Sequence, residues 1–441
     1  MVGKKWAFLT LASITILSAC SSGNTTNEAS QSSEKGTEKT GAKKLTVWVK
    51  QTFSAEADEL LKKRMEQFGK EKNVTVNVEL ISSSSMTEKY SAAIESKQTP
   101  DVAFLIPEVI KQFQEKDLLL DLSDLSNNIN KVNGELFKKG LDYASVDGKI
   151  YGIPLYNSAT VLFYRKDMLA KAGYDAPPKT WDEFREVAKK VTETNKGVYG
   201  AGLVFGSAND SENEKRSITW SLGASLNSAD GKTPTMDTPE MSSVVKMLTD
   251  MVVVDKSVPP TSVSWDDSGN NKAYLSGQTA MIINAASVVG ALKDAPDDVK
   301  NNTGVAVLPA GPKGTTVIGS TNYNGVFKNT KEPELSQELI QYVMDKSWYK
   351  TWIETVAPTF APVYIDLANE PFWQSEYNKP IIASLEYFTY TGYPGPNMSQ
   401  ATEVHNQKIL TQMYQRILVD KISIDKALKE AQDKMLKIYT P

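Results

Sequence analysis

The chain has 441 residues, of which 40% are hydrophobic and 23% charged, and a formal net charge of −4. That length suffices for two to three domains with sizeable cores and excludes a stapled mini-protein. Interspersed charge of both signs argues against a nucleic-acid partner, and the single cysteine, Cys20, excludes an intramolecular disulfide.

The first element is a leader. Lys4 and Lys5 precede the apolar run Trp6 to Leu17, and small residues close it in Leu17-Ser18-Ala19-Cys20, the three-part pattern of a secretory signal. A membrane span needs about 20 apolar residues, so the run is expected to be removed, with residues 1–19 as signal peptide. Leu17-Ser18-Ala19-Cys20 resembles the lipobox of bacterial lipoproteins. The resemblance implies a diacylglycerol on Cys20 and anchoring at the extracytoplasmic face of the cell membrane without crossing it. The other reading is an ordinary secreted protein with a stray thiol. From Ser21 to Lys44 there is no Val, Ile, Leu, Phe, Trp or Tyr, so residues 20–43 are expected to form a flexible tether reaching about 25–30 Å.

Leu45 to Val49 reads as a buried strand, and Ser54 as the cap of a helix carrying Ala57, Leu60, Leu61, Met65 and Phe68 at helical spacing. Val74, Val76, Val78 and Leu80 alternate as a second strand. A helix through Tyr90, Ala93 and Ile94 leads to a third strand, Val102 to Ile106. This β-α-β-α-β order predicts a parallel sheet covered by helices, an α/β class. Further on, Val161 to Tyr164 reads as a strand, and Thr180 with Glu183 as a capping box opening a helix through Phe184, Val187 and Val191. Strands are expected at Ala280 to Ile283 and Val305 to Leu308. Helices follow at Ile409 to Leu418 and over Ala427, Leu428, Ala431, Met435 and Leu436. There is no solenoid repeat.

Catalytic signatures are sparse. His405 is the single histidine and reads as structural or surface. No Gly-x-Ser-x-Gly elbow, His-Glu-x-x-His site or calcium loop occurs. Gly231-Lys232-Thr233 lacks the glycine of a phosphate loop, because Leu226 stands there. Gly200-Ala201-Gly202 meets its next glycine at Gly206, one position late for a dinucleotide fingerprint. No metal or cofactor is called for. A glycoside hydrolase needs only two carboxylates and leaves little trace in a sequence, so it stays open as the enzymatic alternative.

The motif order Leu45-Thr46-Val47-Trp48, Thr99-Pro100-Asp101-Val102, Tyr151-Gly152-Ile153-Pro154, Leu162-Phe163-Tyr164-Arg165-Lys166-Asp167, Thr180-Trp181-Asp182-Glu183-Phe184, Leu275 to Met281 and Leu308-Pro309-Ala310-Gly311-Pro312 resembles the type II periplasmic solute-binding proteins of ABC sugar transporters, the group that includes maltodextrin-binding proteins. The resemblance spans nearly the whole chain after the tether. It implies two α/β lobes joined by a hinge, with a ligand cleft between them: 44–155 plus 284–346 in lobe one, 156–283 plus 347–441 in lobe two. It implies a non-enzymatic, monomeric receptor that hands a neutral carbohydrate, first of all an oligosaccharide, to membrane permease subunits; a phosphate ester is the non-sugar alternative.

Sugars are held by aromatic faces against their C–H side and by fixed hydrogen-bonding groups for their hydroxyls. Carried over position by position, the family pattern implies Gln51, Thr52, Phe53, Glu108, Tyr156, Asn157, Asn284, Ser287, Ser320, Asn322 and Tyr393 as ligand-binding, and Trp220 joins them as a loop-tip aromatic. Relatives often carry Trp where Ser287 stands, which removes one stacking face; Trp220, Trp265 and Tyr393 are the candidate replacements. Trp48, on a strand covered on both faces, reads as core. Glu108 also has a plainer reading, as a carboxylate at the positive end of the helix after Pro107.

Overall fold

A computed structural model describes residues 43–440 except 53, 83 and 84. The leader, Cys20, the tether up to residue 42 and Phe53 lie outside the described residues. Among those described, the strands are β1 (Lys44–Lys50), β2 (Thr75–Ile81), β3 (Val102–Leu105), β4 (Ser145–Val146), β5 (Lys149–Ile150), β6 (Ile153–Ser158), β7 (Thr160–Arg165), β8 (Met281–Ala285), β9 (Thr303–Ala306), β10 (Val317–Ile318), β11 (Ser320–Val326) and β12 (Phe388–Thr389).

Local signals build the first sheet as the sequence predicts. Ser54 caps the helix Ala55–Lys72 by accepting the Ala57 amide at 3.3 Å, and Asn73 ends it in the left-handed conformation. Trp48 is 7% exposed and lies in the core beside Tyr90. The sheet order is β2-β1-β3-β11-β6. Only β2, β1 and β3 are parallel; β11 runs antiparallel to both β3 and β6. The parallel pairing expected of the first three strands is present, and the sheet is made mixed by β11, which enters from the end where β3 and β6 finish.

The second sheet, β8-β7-β9, is antiparallel throughout. Thr180 and Glu183 cap the helix Trp181–Thr194 over it: Thr180 Oγ1 accepts the Glu183 amide, and Glu183 Oε2 accepts the Lys179 amide, one residue before the reciprocal partner of a capping box.

Pairing relocates two expected boundaries. Asn284 and Ala285 pair with Val161 and Thr160, and β9 pairs with β7, so residues 284–306 belong to the second sheet. The chain returns to the first sheet only at Ser320. At the other end, the stretch after Ser347 packs on the first sheet rather than the second. Trp352 Nε1 donates to the Ala57 carbonyl at 3.0 Å and Tyr349 Oη to that of Leu155 at 2.8 Å, while Ala361 and Asn157 exchange two backbone bonds. The helix Asn378–Ser384 then packs against β7 and β9.

One buried residue, Ala159, links β6 to β7 and so joins the two sheets. The return connection carries β10, which pairs in parallel with β12. No helix among the described residues is long and apolar enough to cross a membrane.

Candidate binding cavity

A cavity of about 760 Å³ opens where the two sheets meet. Its walls are Glu108 just beyond β3, Ser158 at the end of β6 and Ser320 at the start of β11, facing Thr160 of β7 and Asn284 of β8. Sites outside the carboxyl ends of strands, where the topology switches, are the usual binding places of open α/β sheets. Two helices complete it: Asn209–Ser221, which presents Asp210, Asn213 and Glu214 at helical spacing on one face, and Ser399–Asn406, which adds Glu403 and His405.

The helix Asn209–Ser221 organises the site. Glu212, Glu214, Lys215 and Arg216 are at most 1% exposed, which requires partners for each charge. Glu212 Oε1 accepts the Thr411 amide at 2.8 Å, in the first turn of the helix Ile409–Leu418, and its Oε2 accepts Arg216 at 3.2 Å. Arg216 also donates to the Thr391 carbonyl at 3.3 Å, and Thr391 Oγ1 reaches Glu108 Oε1 at 3.4 Å. Polar links thus run from the buried helix to the first sheet's Glu108.

Lys215 Nζ bonds Glu214 Oε1 and, at 2.5 Å, the Val204 carbonyl, with the Phe205 ring 4.1 Å away. Glu214 Oε2 is buried without a hydrogen-bond partner. Burial pushes the Glu214 carboxyl up to about 7, against the opposing pull of Lys215 and the nearby Val204 amide. Asp210 is likewise pushed up to about 7, by burial first and then by Asp267 and Glu214. Burial also raises Glu108, offset in part by its own amide and Thr391. His405 is pushed down to about 3 by burial and by the cations of Arg216 and Lys408, so it is neutral at physiological pH. Its Nε2 lies 3.1 Å from Asn213 Oδ1.

Asn284 is the donor at the back of the cavity. Its Nδ2 lies 2.8 Å from Asp210 Oδ2, 3.0 Å from Asn270 Oδ1 and 2.7 Å from Asn271 Oδ1. An amide nitrogen has two hydrogens, so three oxygens compete for two donors.

Of the residues singled out from the sequence, Glu108, Asn284 and Ser320 line this cavity. Phe53 lies outside the described residues, and the others are placed elsewhere. Tyr156 is 1% exposed, stacked on Phe360 at 4.1 Å. Trp220 is 2% exposed against the edge of Tyr393. Both rings are packed in the interior, and the aromatic faces at the cavity are Tyr143 and Tyr390, edge to face at 5.1 Å, the second of them one of the aromatics that the sequence places at loop tips. Asn157 and Asn322 are buried: Asn157 donates to the Pro362 carbonyl and accepts from Thr321 Oγ1, and Asn322 bonds the Ser320 carbonyl. Thr52 is occupied in the turn before the first helix, accepting the Ser54 amide and donating to Asp58 from its own. Gln51 is exposed, and Ser287 starts the short helix Ser287–Ala291.

Sequence reasoning missed Asp210, Asn213, Glu214 and Glu403 and placed His405 outside the site. For Asp210, Asn213 and Glu214 the only local signal is a run of charges, which ordinarily marks a solvated helix face, and Glu403 and His405 have none. Among the described residues, no group of three or more His, Cys, Asp or Glu is placed to hold a metal ion.

The profile of the family described as "Bacterial extracellular solute-binding protein" matches residues 51–350. The arabinooligosaccharide-binding protein of Bacillus subtilis is 24% identical over 320 residues, 70% of this chain and 71% of that protein. Two solved structures share the fold over 90% of the chain. The sugar-binding protein MalE of Xanthomonas citri has a TM-score of 0.77 at 21% identity, with 97% of it covered. An ABC substrate-binding protein of Listeria monocytogenes, in complex with cycloalternan, has 0.73 at 22%, with 99% covered. The architecture is that of a type II periplasmic binding protein.

Proposed function

The chain belongs to the bacterial extracellular solute-binding proteins, and from that premise we propose that it is the substrate receptor of an ABC importer, taking a carbohydrate into the cavity between its two sheets and delivering it to a membrane permease. The observation that carries this reading is the wall itself. Side-chain amides, hydroxyls and carboxylates (Gln112, Asn213, Asn284, Thr402, Glu403) converge on a space of about 760 Å³ with two tyrosine faces beside them, which suits a polyhydroxylated ligand. The named ligands of relatives, arabinooligosaccharide and cycloalternan, point the same way.

The sheets and their helices serve as the two lobes, with boundaries at Ala159 and within 307–319, and the cavity closes by hinge motion. Cys20 carries the lipid anchor and the segment after it tethers a monomeric receptor outside the cell membrane. Binding without chemistry is expected. The phosphate-ester alternative fits poorly, since no Lys or Arg among the described residues lines the cavity; Lys50 instead stands 5.2 Å over the Phe104 ring.

A thermal-shift screen of the purified protein against neutral oligosaccharides, polyols, amino acids and phosphate esters tests this, with each hit analysed for products by mass spectrometry. A shift with one saccharide class and unchanged ligand is expected. Cleaved products would replace the receptor with a hydrolase, and a response confined to amino acids or phosphate esters would refute the carbohydrate assignment.

A further inference from the structure

Resting on the carbohydrate reading, we propose that His405 is a positioning residue of the cavity: its ring Nε2–H holds Asn213 Oδ1 and so turns the Asn213 amide nitrogen toward the sugar as a fixed donor. Both side chains line the cavity and come from different helices, Asn213 from the middle of Asn209–Ser221 and His405 from the end of Ser399–Asn406. His405 Nε2 lies 3.1 Å from Asn213 Oδ1. A carboxamide oxygen has lone pairs and no hydrogen, so this bond exists only when the ring carries a proton on Nε2. The Asn213 side chain makes no other hydrogen bond among the described residues, which leaves both hydrogens of Nδ2 for an occupant of the cavity.

The ring supplies what the amide lacks. The terminal torsion of an asparagine is broad and roughly two-fold, so an unheld carboxamide offers its oxygen and its nitrogen to a ligand in turn. A neutral imidazole, with one N–H and one lone pair, fixes which end faces away from it. Burial and the cations of Arg216 and Lys408 keep His405 neutral. Those cations are held in place, Arg216 by Glu212 and the Thr391 carbonyl, and Lys408 by Asn209 Oδ1. The ring's own helix is anchored by the buried Ala401 and Val404. Asn406, which also lines the cavity, is the ring's other hydrogen-bonding neighbour. With the proton on Nδ1 instead, the ring would donate to Asn406, and Asn213 would turn its nitrogen to the ring and its oxygen to the sugar. The two tautomers therefore set opposite hydrogen-bonding polarity at this wall.

The chain has a single histidine, so isotope labelling of histidine nitrogen in the untagged full-length protein gives one pair of ring signals in a long-range proton–nitrogen correlation spectrum, and the tautomer is read without any variant. The form protonated on Nε2 alone is expected at pH 7; a proton on Nδ1 alone, or on both nitrogens, overturns the proposal. Isothermal titration with maltotriose, cellotriose, xylotriose and arabinotriose measures the consequence for binding. With each sugar that binds, His405→Leu is expected to weaken affinity about five- to tenfold, the scale of one hydrogen bond. His405→Gln, whose amide can still donate to Asn213 Oδ1, is expected to recover most of that loss. In an Asn213→Ala background His405→Leu should cost nothing further, because the ring acts through Asn213. Additive losses, or a His405→Leu variant that binds as tightly as wild type, overturn the positioning role and leave the carbohydrate receptor standing. No binding of any of the four sugars overturns the carbohydrate reading and the proposal with it.

Discussion

The raised carboxyl of Asp210 has a consequence for stability that can be worked through. Its native pKa is about 7 against an ordinary 3.8, so between those values the native state binds more protons than the unfolded chain, and stability falls as pH rises. The contribution is fully present below about pH 4 and lost once the pH passes 7. At 1.36 kcal/mol per pK unit the loss is at most about 4 kcal/mol, reduced by whatever solvent reaches the half-buried side chain. Asp210→Asn keeps the shape and an acceptor oxygen but has no proton to lose. With an unfolding entropy near 0.8 kcal/mol/K for about 400 residues, the variant should melt up to roughly 5 °C above wild type at pH 8 and close to it at pH 4. Glu214, raised for the same dominant reason, keeps part of the slope in both proteins. Scanning calorimetry of ligand-free protein at pH 4, 6 and 8 measures the difference. Identical pH dependence in the two proteins would show that Asp210 is not held in a desolvated, acid-rich setting.

Arg216→Met strands the buried Glu212 carboxylate with only the Thr411 amide and should cost about 3–5 kcal/mol in denaturant unfolding; adding Glu212→Gln should recover part of that, and strictly additive losses would contradict a coupled pair. At Gly200 an added Cβ would sit 1.9 Å from the Ala188 carbonyl oxygen, so Gly200→Ala should lower soluble yield and melting temperature sharply, and a melting point equal to wild type would refute that close approach. For the proposed anchor, Cys20→Ser should move the protein from the membrane pellet to the medium on fractionation; an unchanged pellet would point to another attachment.

Local patterns carried much of the fold. Ser54 and Thr180 cap the helices their sequences announce, and the alternation at Val74 to Leu80 becomes β2, because these signals depend on residues within one turn or one strand. The misplaced boundaries have a different origin. Whether Asn284 and Ala285 side with one sheet or the other is decided by pairing with Thr160 and Val161, far away in the chain, and no local period reports it. The cavity shows the same division. Glu108, Asn284 and Ser320 were legible from motif order. Glu212 and Arg216 drew no notice in the sequence because their partners, Thr411 and Thr391, are 199 and 175 residues away. Tyr156 and Trp220 were read as ligand-binding for the converse reason: nothing adjacent in sequence shows that Phe360 or Tyr393 will cover them.

Ala159 sets a limit on mechanics. With one buried residue between β6 and β7, and Asn157 beside it tied to both Ala361 and Pro362, the two sheets share a fixed pivot and have no slack along the strand direction. If the cavity closes by the proposed hinge, a turn at Ala159 moves its flanking residues Ser158 and Thr160 least, so the width of the cavity at its inner end is set by the fold rather than by the ligand.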